Sequence, residues 1–228
     1  AGVRLHEGSP VTSIERGSTV VVRTANGSVR AKQVALCANV ALGEIAPALG
    51  RKVMGVATYI VATRQLGAER ATALIRNNMA VSDVNWVLDY FLRSADHRLL
   101  FGGRVSYSGI DAKNTARATQ LRMLKVFPQL ADAEIEYAWG GFVDITMNRA
   151  PDFGRLDQNL YYLQGFSGHG MVLTGIAGKI MAEAMAGQAE RFDVYTRIKH
   201  HDFPGGMALR RPALVLAMLW FRLRDLLP

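Results

Sequence analysis

Gly165-Phe166-Ser167-Gly168-His169-Gly170-Met171 joins two stretches of different periodicity. Upstream, Asn159-Leu160-Tyr161-Tyr162-Leu163-Gln164 reads as a short strand. Downstream, Val172, Ile176 and Ile180 fall four apart, as do Leu173, Ala177, Met181 and Met185, so the spacing predicts a helix over 171–186. Gly187 is then a natural residue to end it. The helix is crowded with Gly175, Ala177, Gly178, Ala182 and Ala184, so its backbone is expected to lie close to a neighbour. Strand, glycine turn and helix present free N–H groups and a positive helix end to an anionic ligand. The alternative reading is a tight turn that merely packs strand against helix.

Working outward, residues 3–40 read as strands, with β-branched runs around Val11, Ile14 and Thr19-Val20-Val21-Val22. Asn26-Gly27 between apolar runs predicts a hairpin, because both residues tolerate positive φ. Gln33-Val34-Ala35-Leu36-Cys37-Ala38 is apolar after its first residue, as a strand buried on both faces would be. Residues 53–66 and 84–107 read as further strands. Within the second stretch, Ser94-Ala95-Asp96-His97 forms a polar turn between two arms that carry aromatics. Helical spacing returns over 112–127, with Asp111 as its N-cap and Pro128 as its stop. Strands follow at 135–145 and 159–164.

Composition narrows the class. Half of the 228 residues are hydrophobic and 20% are charged, which is ample apolar material for one or two cores and excludes disorder. A single cysteine excludes a disulfide framework and a thiolate metal site, and no metal is expected. The net charge is +8. Half of that excess sits in 197–228, where Arg197, Lys199, Arg210, Arg211, Arg222 and Arg224 face only Asp202 and Asp225. No basic stripe with interleaved aromatics spreads over the rest, so nucleic acid is not an expected partner. The apolar run 213–221 is too short to cross a bilayer, which takes about 20 residues. A helix docking on the body or on another subunit, or contact with an acidic membrane surface through 209–228, is expected instead. The chain reads as a soluble, cytoplasmic one from a reducing compartment.

The motif and its surroundings resemble a known family. Gly165 to Met171 with the small-residue helix closely resembles the C-terminal flavin motif of the glycine oxidase, sarcosine oxidase and D-amino acid oxidase family. Trp139-Gly140-Gly141-Phe142 and Ala150-Pro151-Asp152-Phe153-Gly154 resemble the segment preceding it there. Val34 to Asn39 looks like the strand beside the flavin, and Gly8-Ser9-Pro10-Val11 like the strand that meets adenine. The tract 140–225 looks most like bacterial gamma-glutamylputrescine oxidoreductases. The GxGxxG turn that holds the FAD pyrophosphate in the family has no counterpart here. The resemblance therefore implies the C-terminal part of a two-domain flavoprotein that begins partway through a larger fold and holds FAD weakly by itself.

The fold implied is α+β: an incomplete FAD-binding domain plus a substrate domain with an antiparallel sheet. Its expected segments are 1–43 (flavin domain), 44–140 (substrate domain), 141–196 (return to the flavin domain) and 197–228 (basic helical tail). The resemblance implies noncovalent FAD, with Val11, Cys37, Ala38, Asn39, Gly165, Ser167, Gly168, His169, Gly170, Met171 and Val172 around it. Cys37 itself is expected to be buried and inert. The reaction implied is hydride transfer from a small-molecule amine to flavin, followed by imine hydrolysis, with no side-chain base required. Relatives that oxidise α-amino acids carry an arginine where Val143 stands, and sarcosine-type relatives a lysine at the place of Val172. Without those two cationic clamps, an amine lacking an adjacent carboxylate is the favoured substrate. Tyr59, Trp86, Tyr90 and Arg104 are the expected pocket residues, Arg104 pairing a distal carboxylate. Asp144 is a candidate for a substrate ammonium, against the alternative that it only sits in a turn.

Overall fold

The computed structural model describes residues 2–85, 88–106 and 115–205, and beyond them only positions 209, 212, 215, 216, 219, 220, 223 and 224; of Arg104, Val105 and Ser106 only the backbone is described. The chain divides into two compact units, one formed by 1–55 with 143–207, the other by 56–142 with 208–228.

In the first unit, β1 (Val11–Glu15), β2 (Val20–Thr24) and β3 (Gly27–Ala31) form an antiparallel sheet in that order. The β2–β3 hairpin is present, but Thr24 pairs with Gly27, so the turn residues are Ala25 and Asn26. Neither has positive φ, and Gly27 opens the next strand. The expected positive-φ Asn-Gly turn is thus replaced by one shifted a residue earlier.

A second sheet runs in the order β10 (Asp152–Asp157), β11 (Leu160–Gln164), β4 (Val34–Leu36). Strand β11 pairs antiparallel with β10 and parallel with β4. All five of its residues are buried, because both faces are covered. Tyr161 and Leu163 pack with Ala177, Ile180, Met181 and Ala184 of α5 (Gly170–Met185) and with Phe192 of α6 (Glu190–Thr196). Leu160 and Tyr162 face the other way, against Leu42 of α1 (Leu42–Ile45) and Leu49 of α2 (Pro47–Gly50). Each large apolar side chain buried this way stabilises the fold by about 1.5–3 kcal/mol.

Strand β4 differs from the expectation of burial on both faces. It is an edge strand, and Ala35, which shares the α5 side with its partner Tyr161, is exposed, as is Cys37. The central, doubly covered strand is β11. Of the small residues that crowd α5, Ala177 and Ala184 are buried against β11 as expected, whereas a Cβ at Gly175 or Gly178 would meet nothing within 4 Å.

The second unit is built on the sheet β6 (Val81–Ser82), β7 (Tyr90–Arg93), β8 (Leu99–Ser106), β5 (Val53–Thr63), β9 (Ile135–Thr146). The β7–β8 hairpin pairs Arg93 with Leu99 around the polar turn read from the sequence. Ser94 holds that turn by accepting the Arg98 N–H on its hydroxyl at 2.9 Å, and His97 takes φ +65°. The short helix α3 (Ala68–Leu74) and the longer α4 (Thr115–Val126) complete the unit. Met123 and Phe127 pack on Val61, Leu99 and Phe101, with the Phe91 ring edge-on to Phe127 at 4.9 Å. The helix stops before Pro128, as expected. Its proposed cap, Asp111, lies outside the described residues.

Candidate functional site

The glycine loop is held by its own surroundings in the first unit. Gly165 has φ +75°, and a Cβ on it would lie 2.3 Å from Thr146 Cγ2, so conformation and space both require glycine. Its N–H donates to Asp144 Oδ2 at 2.5 Å, and the Ser167 N–H donates to the Asp144 carbonyl at 2.9 Å. The Ser167 hydroxyl donates to the Gly165 carbonyl at 3.2 Å, and the His169 N–H to the Phe166 carbonyl at 2.9 Å. Asp144 is only 5% exposed. Burial pushes its carboxyl above the ordinary range, while the amides of Gly165 and Phe166 pull the other way. This carboxylate braces the loop from beneath. Asp144 lies on β9 rather than in a turn, and its carboxylate accepts from the Gly165 amide.

Beyond the brace, the loop opens. The Val172 and Leu173 amides donate to the His169 carbonyl at 3.3 and 3.2 Å, closing the first turn of α5. Among the described residues, the N–H groups of Gly168, Gly170 and Met171 meet no acceptor. Gly168 takes φ +89°, a conformation that side chains rarely adopt. At Gly170 a Cβ would make only ordinary contacts, so within this chain close approach does not by itself demand glycine there. His169, at the N-cap position, makes no side-chain cap hydrogen bond and is exposed. Met171 and Val172 are 97% and 81% exposed. Unaccepted amides at a helix start carry the positive end of the helix dipole, roughly half a unit charge.

The parallel pairing decides what lies beside the loop. Leu36 is registered with Tyr162, so β4 and β11 leave the sheet at the same edge. Cys37, Ala38 and Asn39 follow β4 there, the first two exposed and Asn39 at φ +50°. The carboxyl edge of parallel strands is where such folds take ligands. Val11 lies elsewhere, half-buried at the start of β1 in the other sheet. Three open amides, a positive helix end and an exposed strand edge fit the polar pyrimidine side of an isoalloxazine ring.

In the second unit, Tyr59 on β5 is registered with Arg104 on β8, whose side chain is not among the described atoms. Tyr59 is buried, and its ring fills the space that a Cβ on Gly140 would need. A cavity of about 330 Å³ adjoins it, lined by Thr115, Ala116 and Trp139 among others. Tyr90 on β7 lies over Gly102 and shares a 2.6 Å hydrogen bond with Thr58 on β5. Trp86 lies outside the described residues. Thr146 and Thr58, which the sequence reading passed over, are therefore part of the framework; Thr146 had a signal in its place two residues beyond Asp144 on one strand, and Thr58 had none. Among the described residues there is no group of three or more His, Cys, Asp or Glu placed to hold a metal, and no helix long and apolar enough to cross a membrane.

The profile of the FAD dependent oxidoreductase family (DAO) matches residues 1–184. The chain is 43% identical over 225 residues to gamma-glutamylputrescine oxidoreductase of Escherichia coli (strain K12), covering 98% of this chain and 53% of that protein. It is 37% identical over 229 residues to the probable oxidoreductase OrdL of Haemophilus influenzae, covering 98% and 52%. It thus spans about half the length of the curated relatives it matches. Among solved structures, glycine oxidase from Geobacillus kaustophilus superposes with a TM-score of 0.72 at 19% identity, over 88% of this chain and 54% of that one. L-proline dehydrogenase from P. horikoshii gives 0.68 at 20% identity, over 85% and 53%. Both likenesses concern the fold, which is the α+β architecture expected. With the profile matching 1–184 and the relatives named as oxidoreductases in agreement, the chain belongs to the DAO family of FAD-dependent oxidoreductases.

Proposed function

We propose that the chain is the part of an FAD-dependent amine oxidoreductase that carries the flavin-ring loop and the substrate sheet. The observation that carries this reading is the set of open amides at Gly168, Gly170 and Met171, at the start of a helix and beside the end of β4. When bound, FAD supplies two-electron oxidation of a C–N bond. The chain's part is to orient the ring with these amides and to stabilise negative charge near them. Cys37, Ala38, Asn39 and Ser167 shape the edge, Val172 flanks it, and no thiol bond to the cofactor is expected.

The substrate proposed is an amine without an adjacent carboxylate, of the gamma-glutamylputrescine class. Val143 and Val172 offer no cation to an α-carboxylate, and a relative 43% identical bears that substrate's name. Tyr59, Trp86, Tyr90 and Arg104 are proposed to line its pocket. The test is anaerobic mixing of the flavin-loaded, natural-length protein with gamma-glutamylputrescine, putrescine, glycine and sarcosine. Bleaching of the visible flavin band fastest with gamma-glutamylputrescine supports the reading, and faster bleaching with glycine or sarcosine overturns it.

A second reading is favoured by one observation. In the helical positions beyond 208, Leu209, Leu216, Trp220 and Leu223 recur at one-face spacing and are each more than half exposed. With the arginines of this tail, such a stripe suits an anionic membrane surface. Co-sedimentation with anionic but not neutral vesicles, lost on Leu216→Asp, supports it, and equal behaviour of both proteins refutes it.

A further inference from the structure

The first unit holds a buried polar centre that the proposed chemistry leaves unused. Asp152, the first residue of β10, is 2% exposed. Its Oδ2 accepts a hydrogen bond from Gln164 Nε2 at 2.9 Å, and its Oδ1 one from the Tyr162 hydroxyl at 3.1 Å. Gln164 Nε2 also donates to the Leu49 carbonyl at 3.2 Å. Gln164 ends β11 and is bonded directly to Gly165, so whatever holds Gln164 sets the base of the glycine loop.

The segment 197–203 closes over this centre. The Asn148 side-chain amide donates to the Lys199 carbonyl at 3.0 Å, and the Phe203 N–H donates to the Arg51 carbonyl at 2.9 Å. Between these two ties lies His200. Its side chain is 2% exposed, and its Nε2 stands 3.9 Å from Asp152 Oδ1, too far for a hydrogen bond. Among the described residues, no hydrogen-bond partner of good geometry stands at either ring nitrogen or at Gln164 Oε1, although the Pro151 carbonyl is close enough to act on the ring.

The charges around the imidazole come from every side. Asp152 of β10 and the Pro151 carbonyl favour its charged form. Lys52, between α2 and β5, and the adjoining His201 disfavour it. Tyr162 of β11 stays neutral, its hydroxyl pushed above the ordinary range by burial and by Asp152. Burial is the largest influence on His200 and brings its pKa below the ordinary 6.5.

We propose that segment 197–203 is a proton-operated latch on the base of the glycine loop, with His200 as the positioning residue that seats it against Asp152 and Gln164. Taking a proton from solvent, the imidazole leaves its pocket and the segment lifts. The meaning of this for flavin rests on the proposed function, but the latch is a property of the chain without cofactor. The sign follows from linkage. A histidine with a lowered folded-state value favours the closed form fully above about pH 6.5, and this advantage is lost as pH falls below it. The loss is up to tenfold per pH unit until the folded-state value is passed.

The test is amide hydrogen exchange of the flavin-free chain from pH 8 to 5, expressed as protection relative to unstructured peptide. Protection of the Phe203 amide is expected to be constant above about pH 7 and to fall by up to tenfold per unit below about 6.5. The Gly165 and Ser167 amides are expected to follow. His200→Phe keeps a ring in the pocket and removes the titrating group, and its profile is expected to be flat. In the wild type, the His200 ring-proton titration should have its midpoint below the ordinary 6.5. A flat Phe203 profile in the wild type, a slope retained in H200F, or a His200 midpoint at or above 6.5 overturns the latch. Opening at Phe203 with Gly165 and Ser167 unchanged overturns the positioning of the loop. None of these outcomes depends on flavin being bound.

Discussion

Gly165 and Asp144 show how differently two residues of one site announce themselves. The glycines of the loop are legible because few residue types tolerate such turns, and the expectation from sequence falls on Gly168 and Gly170 as the positions where a Cβ would block close approach. The structure singles out Gly165, where positive φ and the Thr146 methyl act together. Gly165→Ala is expected to cost about 1–3 kcal/mol, from backbone strain and overpacking, in urea unfolding. Gly170→Ala is expected to change little in the same measurement. Asp144 was legible only as a charge, because its partners are amides brought to it by folding. Asp144→Ala leaves those amides buried and unpaired and should cost about 1–3 kcal/mol. Asp144→Asn keeps an acceptor and removes a charge whose burial raised its pKa, so it should unfold no more easily than the wild type at neutral pH. The sign is fixed by that raised value: the carboxyl favours the fold when protonated, and this advantage is lost as pH rises through its folded-state value. The asparagine variant should therefore gain on the wild type as pH rises from 3 to 7.

At the scale of elements, α5 was the most readable because sixteen residues carry a sustained period and a glycine end. The Gly187 N–H donates to the Ala184 carbonyl at 3.1 Å and the Gln188 N–H to the Glu183 carbonyl at 2.9 Å, with Gly187 at φ +93°. Since a Cβ there would meet nothing, Gly187→Ala isolates the conformational cost, expected at about 1–2 kcal/mol in thermal or urea unfolding. Short elements escaped the sequence. Helices α1, α2, α3 and α6 run four to seven residues, too few to show a period. Strand β10 was hidden by Asp152, Gly154 and Arg155, which interrupt its apolar pattern, and it exists through pairing with β11. The misreading of β4 has a similar cause: an apolar run states that a strand tolerates burial, and only the sheet order decides whether it is buried.

For the molecule as a whole, the family was readable from motifs in their order, and profile and relatives agree on it. The motifs named Asp152, Tyr162 and Gln164 but not the polar centre they share, assembled from α2, β10, β11 and the segment after α6. Such centres leave no local pattern, because each member is an ordinary polar residue until the chain closes. Ring recognition and cofactor retention are separate properties of such a fold. Flavin is expected to leave this chain on extensive dialysis, and acid precipitation of the loaded, natural-length protein should release all of it, since no thiol link is expected.

The claim on which the functional reading turns is that the amides opening α5 receive the isoalloxazine. Titrating isotope-labelled chain with FAD and recording amide shifts by NMR tests it directly. Saturable shifts centred on Gly168, Gly170 and Met171, with companions at Cys37, Ala38 and Asn39, are the result predicted. Shifts confined to other parts of the chain while those six amides stay still would contradict it.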